Sequence, residues 1–412
     1  MMNKIHIVVL IMVFSTIIFA NSLKAQVKNS VYSMFGVGQI SDNSFGINKS
    51  LGGTGIAFQS GSSMNYLNPA SYLGILPNSF NMELGAYGII SRSENKNTAQ
   101  TAGDIKVGYF SASLYLKNWW AFCFGIVPFS SVDYEINSSD DVGGELTSFE
   151  KKFKGTGGLS RLYLGNSFRI YQGLAVGFNA SCIFGPITLT ETALSNDRFT
   201  GYELKNIRTA SSLYLDYGLQ YSMSHKDWLY SIGLIYGGSK RLNTTDKLEF
   251  TYEGTTSSLE QDEQLDMKIP QKLGLGISVK KGNNFRAGFD YEWKNWSNIN
   301  FSNPNLDTKN SNRFSIGVEY SPRQNKNSNL LQRLFYRFGA NCKNSYLEID
   351  NTQINSTGVN FGVGIPYNEI NMINLSIEYG EEGTMSKGLI KNNYWVFYLN
   401  FSLNEIWSNR KF

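Results

Sequence analysis

The residues able to do chemistry are few and scattered. The chain holds two histidines, His6 and His225, and three cysteines, Cys123, Cys182 and Cys342. A zinc cluster or a serine–histidine–carboxylate triad needs a histidine among suitable partners. His225 has only Lys226 and Asp227 beside it. The cysteines are odd in number and far apart, each within an apolar strand-like run, so neither a disulfide framework nor a Cys-rich metal site is expected. The glycine runs Gly52-Gly53-Thr54-Gly55 and Gly157-Gly158 lack the strand-to-helix setting of a phosphate loop. The sequence therefore predicts no enzyme, no cofactor and no metal. More informative is a set of charges that alternation places on one face of successive strands: Glu83, Lys106, Arg161, Asp216, Lys272, Arg286, Asp290, Glu292, Lys294, Arg313, Glu319, Arg337, Lys343 and Glu378. Both signs occur, which suits a self-compensating network. Arg161, Arg286 or Lys294 are also candidates for the carboxylate head of an amphiphile, because guanidinium and ammonium groups bind carboxylates strongly.

These charges need strands to carry them. From residue 79 onward apolar and polar residues alternate with period two, as in Leu213, Leu215, Tyr217, Leu219 and Tyr221 against Asp216, Gly218 and Gln220. Fourteen strands are expected, at 79–92, 104–117, 119–136, 158–170, 173–184, 209–223, 227–239, 268–280, 284–296, 311–321, 334–347, 356–365, 371–380 and 391–403. Most have a length that crosses a tilted bilayer. Connections after even strands are short and those after odd strands long and polar, notably 137–157, 185–208, 240–267 and 297–310; this is the turn-and-loop pattern of an outer-membrane barrel. The connection 322–333 is longer than this rule gives, with room for a short periplasmic helix. Trp119, Trp120 and Trp228 fall at periplasmic strand ends and Trp293, Trp296 and Trp395 at outer ends, as in aromatic girdles.

Composition agrees. Charged residues are 17% of the 412, against roughly 25% in a typical globular protein. Aromatics reach 14%, with 40 Gly and 8 Pro. After the first twenty residues no apolar run is long enough for a membrane helix. Residues 1–25 read as a secretory signal: Lys4, an apolar stretch from Ile5 to Ala20, then Leu23-Lys24-Ala25 before the cut. Removing Lys4 and Lys24 from 37 basic residues against 33 acidic ones leaves a charge of +2, which gives no electrostatic case for nucleic acid. The expected organisation is a signal peptide at 1–25, a plug or hatch at 26–78, a transmembrane antiparallel β-barrel at 79–403 and a periplasmic tail at 404–412.

Residues 26–78 are rich in glycine and serine and have no long alternating run, so they suit a segment ordered by a barrel wall rather than a free-standing domain. Ser50-Leu51-Gly52-Gly53-Thr54-Gly55-Ile56-Ala57 followed by Asn65-Tyr66-Leu67-Asn68-Pro69-Ala70-Ser71 resembles the N-terminal hatch of FadL-type outer-membrane transporters, with Ser71 where the family often has glycine. Phe124-Gly125-Ile126-Val127-Pro128-Phe129 resembles that family's third strand, and Pro270 through Trp296 a further strand pair. The likeness is to members from Bacteroidota-type bacteria. It implies an outer-membrane location in a Gram-negative bacterium, contact with the lipid bilayer, and a hydrophobic ligand, lipid or detergent in the lumen. It also implies passive uptake of hydrophobic molecules such as long-chain fatty acids, with lateral exit at the third strand. A proline cannot donate a ladder hydrogen bond, so Gly125, Pro128 and Phe129 are the candidate gate. The alternative is a non-transporting FadL-like barrel serving as a subunit of an outer-membrane protein assembly or secretion machine. The long loop carrying Glu260, Asp262, Glu263 and Asp266 would then suit docking.

Overall fold

A computed structural model describes residues 30–140, 149–194, 200–261, 267–296, 306–322 and 329–406. Fourteen antiparallel strands close into a barrel around the hatch. In chain order, with interrupted strands kept as one, they are β1 Ser79–Glu94, β2 Ala99–Lys117, β3 Trp120–Pro128 continuing as Ser130–Asp140, β4 Phe149–Gly157 continuing as Ser160–Tyr171, β5 Leu174–Ala193 and β6 Tyr202–His225. Then come β7 Trp228–Gly237 continuing through Lys240–Arg241 and Asn243–Tyr252, and β8 Thr255–Gln261, Lys268–Ile269 and Gln271–Lys281. The circuit ends with β9 Phe285–Asn295, β10 Ser311–Tyr320, β11 Phe335–Ile349, β12 Thr352–Pro366, β13 Met372–Gly383 and β14 Lys391–Ile406. β14 pairs with β1 from Ser79↔Ile406 to Glu94↔Lys391, which closes the wall.

Alternation sorts the two faces. Along β6, Leu213, Leu215, Tyr217, Leu219, Tyr221 and Met223 are exposed on the outside, whereas Tyr214, Asp216 and Gln220 are buried inside. The outside faces lipid, where apolar side chains lose nothing by exposure. None of the described helices is long and apolar enough to cross a membrane. The helix expected between β10 and β11 is the single turn Leu330–Arg333. Cys123, Cys182 and Cys342 are free thiols.

Four sequence expectations change. Much of the connections 137–157, 185–208 and 240–267 is strand: β4 starts at Phe149, β5 reaches Ala193, β6 starts at Tyr202, and Asn243–Tyr252 pairs with Thr255–Gln261. These extensions rise beyond the bilayer with water on one or both faces, so they lack the apolar alternation that marks the barrel. The third strand, expected as one run, breaks at Phe129. Trp296 is not in a girdle: it is 1% exposed and stacks on Tyr346 at 4.1 Å inside the outer mouth. The last strand runs to Ile406, past the expected 403. The signal segment and Trp407 lie outside the described residues.

The hatch threads the lumen from the outer mouth to the periplasmic rim. Its turn Val31–Met34 lies at the outer end, where the Tyr32 hydroxyl donates to the Ile390 carbonyl at 2.6 Å. A helical turn, Gly46–Ser50, sits mid-lumen against β12–β14. A 3-10 helix, Pro69–Gly74, packs on β4, β5 and β6 before the chain enters β1 at Ser79.

Candidate functional site

The hatch motifs are seating devices. Asn68 caps the 3-10 helix by accepting from the Ala70 N–H at 3.0 Å, and its amide donates to the Ile56 carbonyl at 2.7 Å and to Leu219 in the wall at 3.1 Å. Ser71 donates to the Asn65 and Asn68 carbonyls at 3.0 and 2.7 Å. The Ala70 carbonyl accepts from Ser167 on β4 at 2.9 Å. The backbone of Pro69 lies so close to the wall that a Cβ on Gly177 would come within 2.4 Å of its carbonyl carbon. Gly52 and Gly53 adopt φ of +65° and +78°, conformations only glycine enters freely. Gly52 lies against the Ala340 backbone. The Gly55 and Ile56 N–H groups both donate to the Asp290 carboxylate, at 2.6 and 2.9 Å.

Charge locks the periplasmic half of this assembly. Glu319 accepts from Arg286 through one oxygen and Arg337 through the other, each at 2.6 Å. Arg286 also donates to the hatch carbonyl of Gln59 at 3.3 Å, and Arg337 to Asn374 at 2.7 Å. Glu83 accepts from the Ser63 hydroxyl and the Met64 N–H, both at 2.6 Å. Higher in the lumen, level with Val127 on β3, Arg161, 3% exposed, reaches the Tyr66 hydroxyl at 3.1 Å and Asp216 at 3.4 Å, with its guanidinium over the rings of Phe129 and Tyr214. Buried charges survive only when paired in this way.

The outer half differs. Among the described residues the outer part of β2, Ala99–Tyr109, has a ladder partner on one side only, β1. Its pairing with β3 stops at Phe110↔Ile126. Beyond Pro128 the strand turns away, so that Ser130–Asp140 pairs with the outer half of β4 and with Gln39 and Ile40 of the hatch. The turn is held by the Leu159 carbonyl, which accepts from both Phe129 and Ser130, at 2.8 and 3.0 Å. β4 kinks beside it at Gly157 and Gly158, with φ of +105° and +136°. A bulge at Gly108 adds to the distortion, since Gly85 opposes Tyr109 and Ala86 opposes Val107. Across the break Lys106 reaches Asp133 at 3.2 Å.

Behind the break lies a cavity of about 230 Å³. Val127, Pro128, Ser130, Ser131 and Gly108 line one side, and Phe45, Tyr87, Tyr394, Tyr398 and Leu399 supply aromatic and apolar wall. Asp42, Lys49, Arg313, Lys343 and Glu378 supply charge. Burial opposes the Asp42 carboxylate, yet Lys49 at 2.5 Å and Arg313 at 3.6 Å hold it below the usual carboxylate range. Lys343 makes no hydrogen bond or ion pair with a described residue, and it also borders a smaller cavity of about 50 Å³ with Lys294 and Trp296.

All fourteen charges expected on the inner face come from strands whose alternate residues line the lumen. The three head-group candidates are not brought together. Arg161 and Arg286 are held by carboxylates and hatch groups, and Lys294, paired with Glu292 at 2.9 Å, borders the smaller cavity. Of the gate candidates, Pro128 and Phe129 stand at the break, while Gly125 lies in intact ladder opposite Ser111. Sequence reasoning did not single out Arg313 and Lys343 as cavity residues, although alternation had already turned both inward. Lys49 and Asp42, on the hatch, carried no signal at all. Among the described residues no three His, Cys, Asp or Glu side chains are grouped to hold a metal.

Solved structures share this architecture. The toluene transporter TodX of Pseudomonas putida aligns over 90% of this chain and 100% of its own, with a TM-score of 0.64 at 15% identity. The CymD monoaromatic hydrocarbon channel aligns over 88% and 98%, at 0.59 and 16%. A FadL homologue of Pseudomonas aeruginosa aligns over 91% and 100%, at 0.59 and 10%. At such identity the likeness is one of fold: a FadL-type barrel. No curated protein matches the chain in sequence. The profile of one family, described as BamG, matches residues 1–412, and the chain accordingly belongs to the BamG family.

Proposed function

We propose that this barrel admits a hydrophobic small molecule with a polar head at the outer mouth, holds it in the cavity behind β3, and releases it sideways into the membrane. The observation that carries this reading is the coincidence of the broken ladder at Pro128 and Phe129 with the cavity that Val127, Pro128 and Ser130 line. A route through the wall spares an apolar tail the crossing of the charged, hatch-filled lumen below. The cavity is smaller than the roughly 300–1,000 Å³ of drug-sized sites, so it suits the head and first carbons of a chain molecule. Long-chain fatty acids fit that description, with Lys343 and Arg313 near the carboxylate. The solved channels of this fold, described as carrying toluene or monoaromatic hydrocarbons, support a hydrophobic cargo.

A second reading is favoured by the sealed periplasmic half, where paired charges and hatch backbone fill the lumen. There the barrel is a non-transporting subunit of an outer-membrane protein assembly or secretion machine. The experiment is native mass spectrometry, with lipid analysis, of protein gently extracted from its own membrane. One amphiphile per chain, lost in Lys343→Glu, is the result expected for uptake. A stoichiometric protein partner with no bound small molecule would move the assignment to the second reading.

A further inference from the structure

The periplasmic rim of the barrel carries charge of one sign on one side. From the β2–β3 turn round to the connection between β10 and β11 stand Lys117, Arg169, Lys226, Lys281 and Arg333, and the one described carboxylate of those turns is Asp227. The rest of the rim, made by the β12–β13 turn and the ends of β14 and β1, has Glu369 and Glu405 and no described cation. Lys117 and Arg169 are both exposed. Neither side chain has a hydrogen bond or ion pair with a described residue, although their turns are joined: the Arg169 N–H donates to the Trp119 carbonyl at 2.9 Å. No Asp or Glu occurs in residues 105–132 or 151–190, which form the strands on either side.

Between these two cations lies a shelf of aromatic rings. Trp119 stacks on Trp120 at 6.0 Å and on Phe168 at 6.2 Å, and Phe168 stacks on Phe178 at 6.5 Å. The Lys117 ammonium stands 5.7 Å from the Trp119 ring. Trp119 is 49% and Ile170 63% exposed. Such rings sit at the headgroup level of a bilayer, with one side apolar and the other wet. At that level an ammonium and a guanidinium flanking a ring match a phosphate ester, since both bind phosphate oxygens through charge-assisted hydrogen bonds. A ring face beside them matches the glycerol and first methylenes.

We propose that Lys117, Arg169 and Trp119 form a site for an anionic phospholipid of the periplasmic leaflet, its phosphate between the two cations and its glycerol on the indole. The rest of the chain offers no substitute for that phosphate. Residues 1–29, 323–328 and 407–412, outside the described part, contain no acid, and the last two add Arg323, Lys326, Arg410 and Lys411. The undescribed segments that do contain acids, 141–148, 195–199 and 262–266, continue from outer strand ends, and none is long enough to cross a bilayer. The inference does not depend on whether the cavity carries a ligand.

The test places the full protein in phosphatidylcholine vesicles that contain a brominated phospholipid, whose bromines quench nearby indoles. The Trp119 signal is the difference in fluorescence between the protein and Trp119→Phe. Brominated phosphatidylglycerol is expected to occupy the site about tenfold or more in preference to brominated phosphatidylcholine. Lys117→Gln together with Arg169→Gln should bring that preference close to one, whereas Lys247→Gln, on the outer extension, should leave it unchanged. Heat-modifiable gel mobility shows that each variant is folded. Inorganic phosphate in excess should not displace the lipid, because it has nothing to lay on the rings. In cells, a photo-cross-linking residue at Asn118 should label phospholipid. Equal binding of the two lipids, an unchanged preference in the double variant, displacement by inorganic phosphate, or a protein as the main product labelled from Asn118 would each overturn the proposal.

Discussion

The two halves of the lumen are built on opposite terms. In the periplasmic half, carboxylates meet guanidinium or hatch N–H groups at 2.6 Å, as at Glu319, Glu83 and Asp290, and glycines such as Gly177 and Gly339 let hatch backbone lie on the wall. In the outer half the wall loses its ladder beside β2, a cavity of about 230 Å³ opens, and Lys343 faces it with no hydrogen bond or ion pair to a described residue. The contrast teaches where each half can move. Breaking the inner half exposes several buried charges together, whereas the outer half is spanned by single contacts such as Lys106 to Asp133.

The largest expected effect is at Glu319. Glu319→Ala leaves Arg286 and Arg337 buried without their shared carboxylate, which should cost about 3–5 kcal/mol; the midpoint of unfolding in urea, followed by heat-modifiable gel mobility, measures it. Replacing all three by Met and Leu should recover most of the loss, since apolar groups of similar volume often match a buried triad. Next comes Asp290→Asn, which removes the charge from the bonds to Gly55 and Ile56 and should loosen the hatch by about 1–2 kcal/mol. Faster hydrogen exchange at residues 52–58, with the barrel amides unchanged, is the signature. The smallest effect belongs to the outer half: Lys49→Met breaks a partly exposed pair with Asp42 and should change stability by about 1 kcal/mol or less. If Lys49→Met proved as damaging as Glu319→Ala, the contrast between the halves would collapse.

The barrel was legible because water on one side and lipid on the other impose period two on each strand. The same signal turned Arg313 and Lys343 inward on paper. Alternation gives facing, however, and not pairing. It left Arg161 and Arg286 open between ligand binding and a locking network, and only three-dimensional register shows Glu319 between two arginines that lie 51 residues apart in sequence. The extensions at Phe149–Gly157 and Asn243–Gln261 were hidden because water replaces lipid at their outer face, so threonine, lysine and glutamate there read as loop. Trp296 was misplaced for a related reason: its position at a strand end fits a girdle, and only the approach of Tyr346 from β11 shows it turned into the mouth. Pro128 announced a break, but that β3 then keeps β4 on one side and exchanges β2 for Gln39 and Ile40 of the hatch on the other depends on long-range pairing that no local run of residues encodes.

The central claim is that the break beside β3 is the way out. Its most direct test places cysteines at Lys106 and Asp133, in a background with the three native cysteines changed to serine, and bridges them with a cleavable bis-thiol cross-linker. Uptake of a fluorescent fatty acid by cells is then followed before and after cleavage. The account predicts that bridging lowers uptake about tenfold or more, in proportion to the cross-linked fraction, and that cleavage restores it. Uptake unchanged by a bridge formed in nearly every molecule, or no uptake above that of cells lacking the protein, would contradict it.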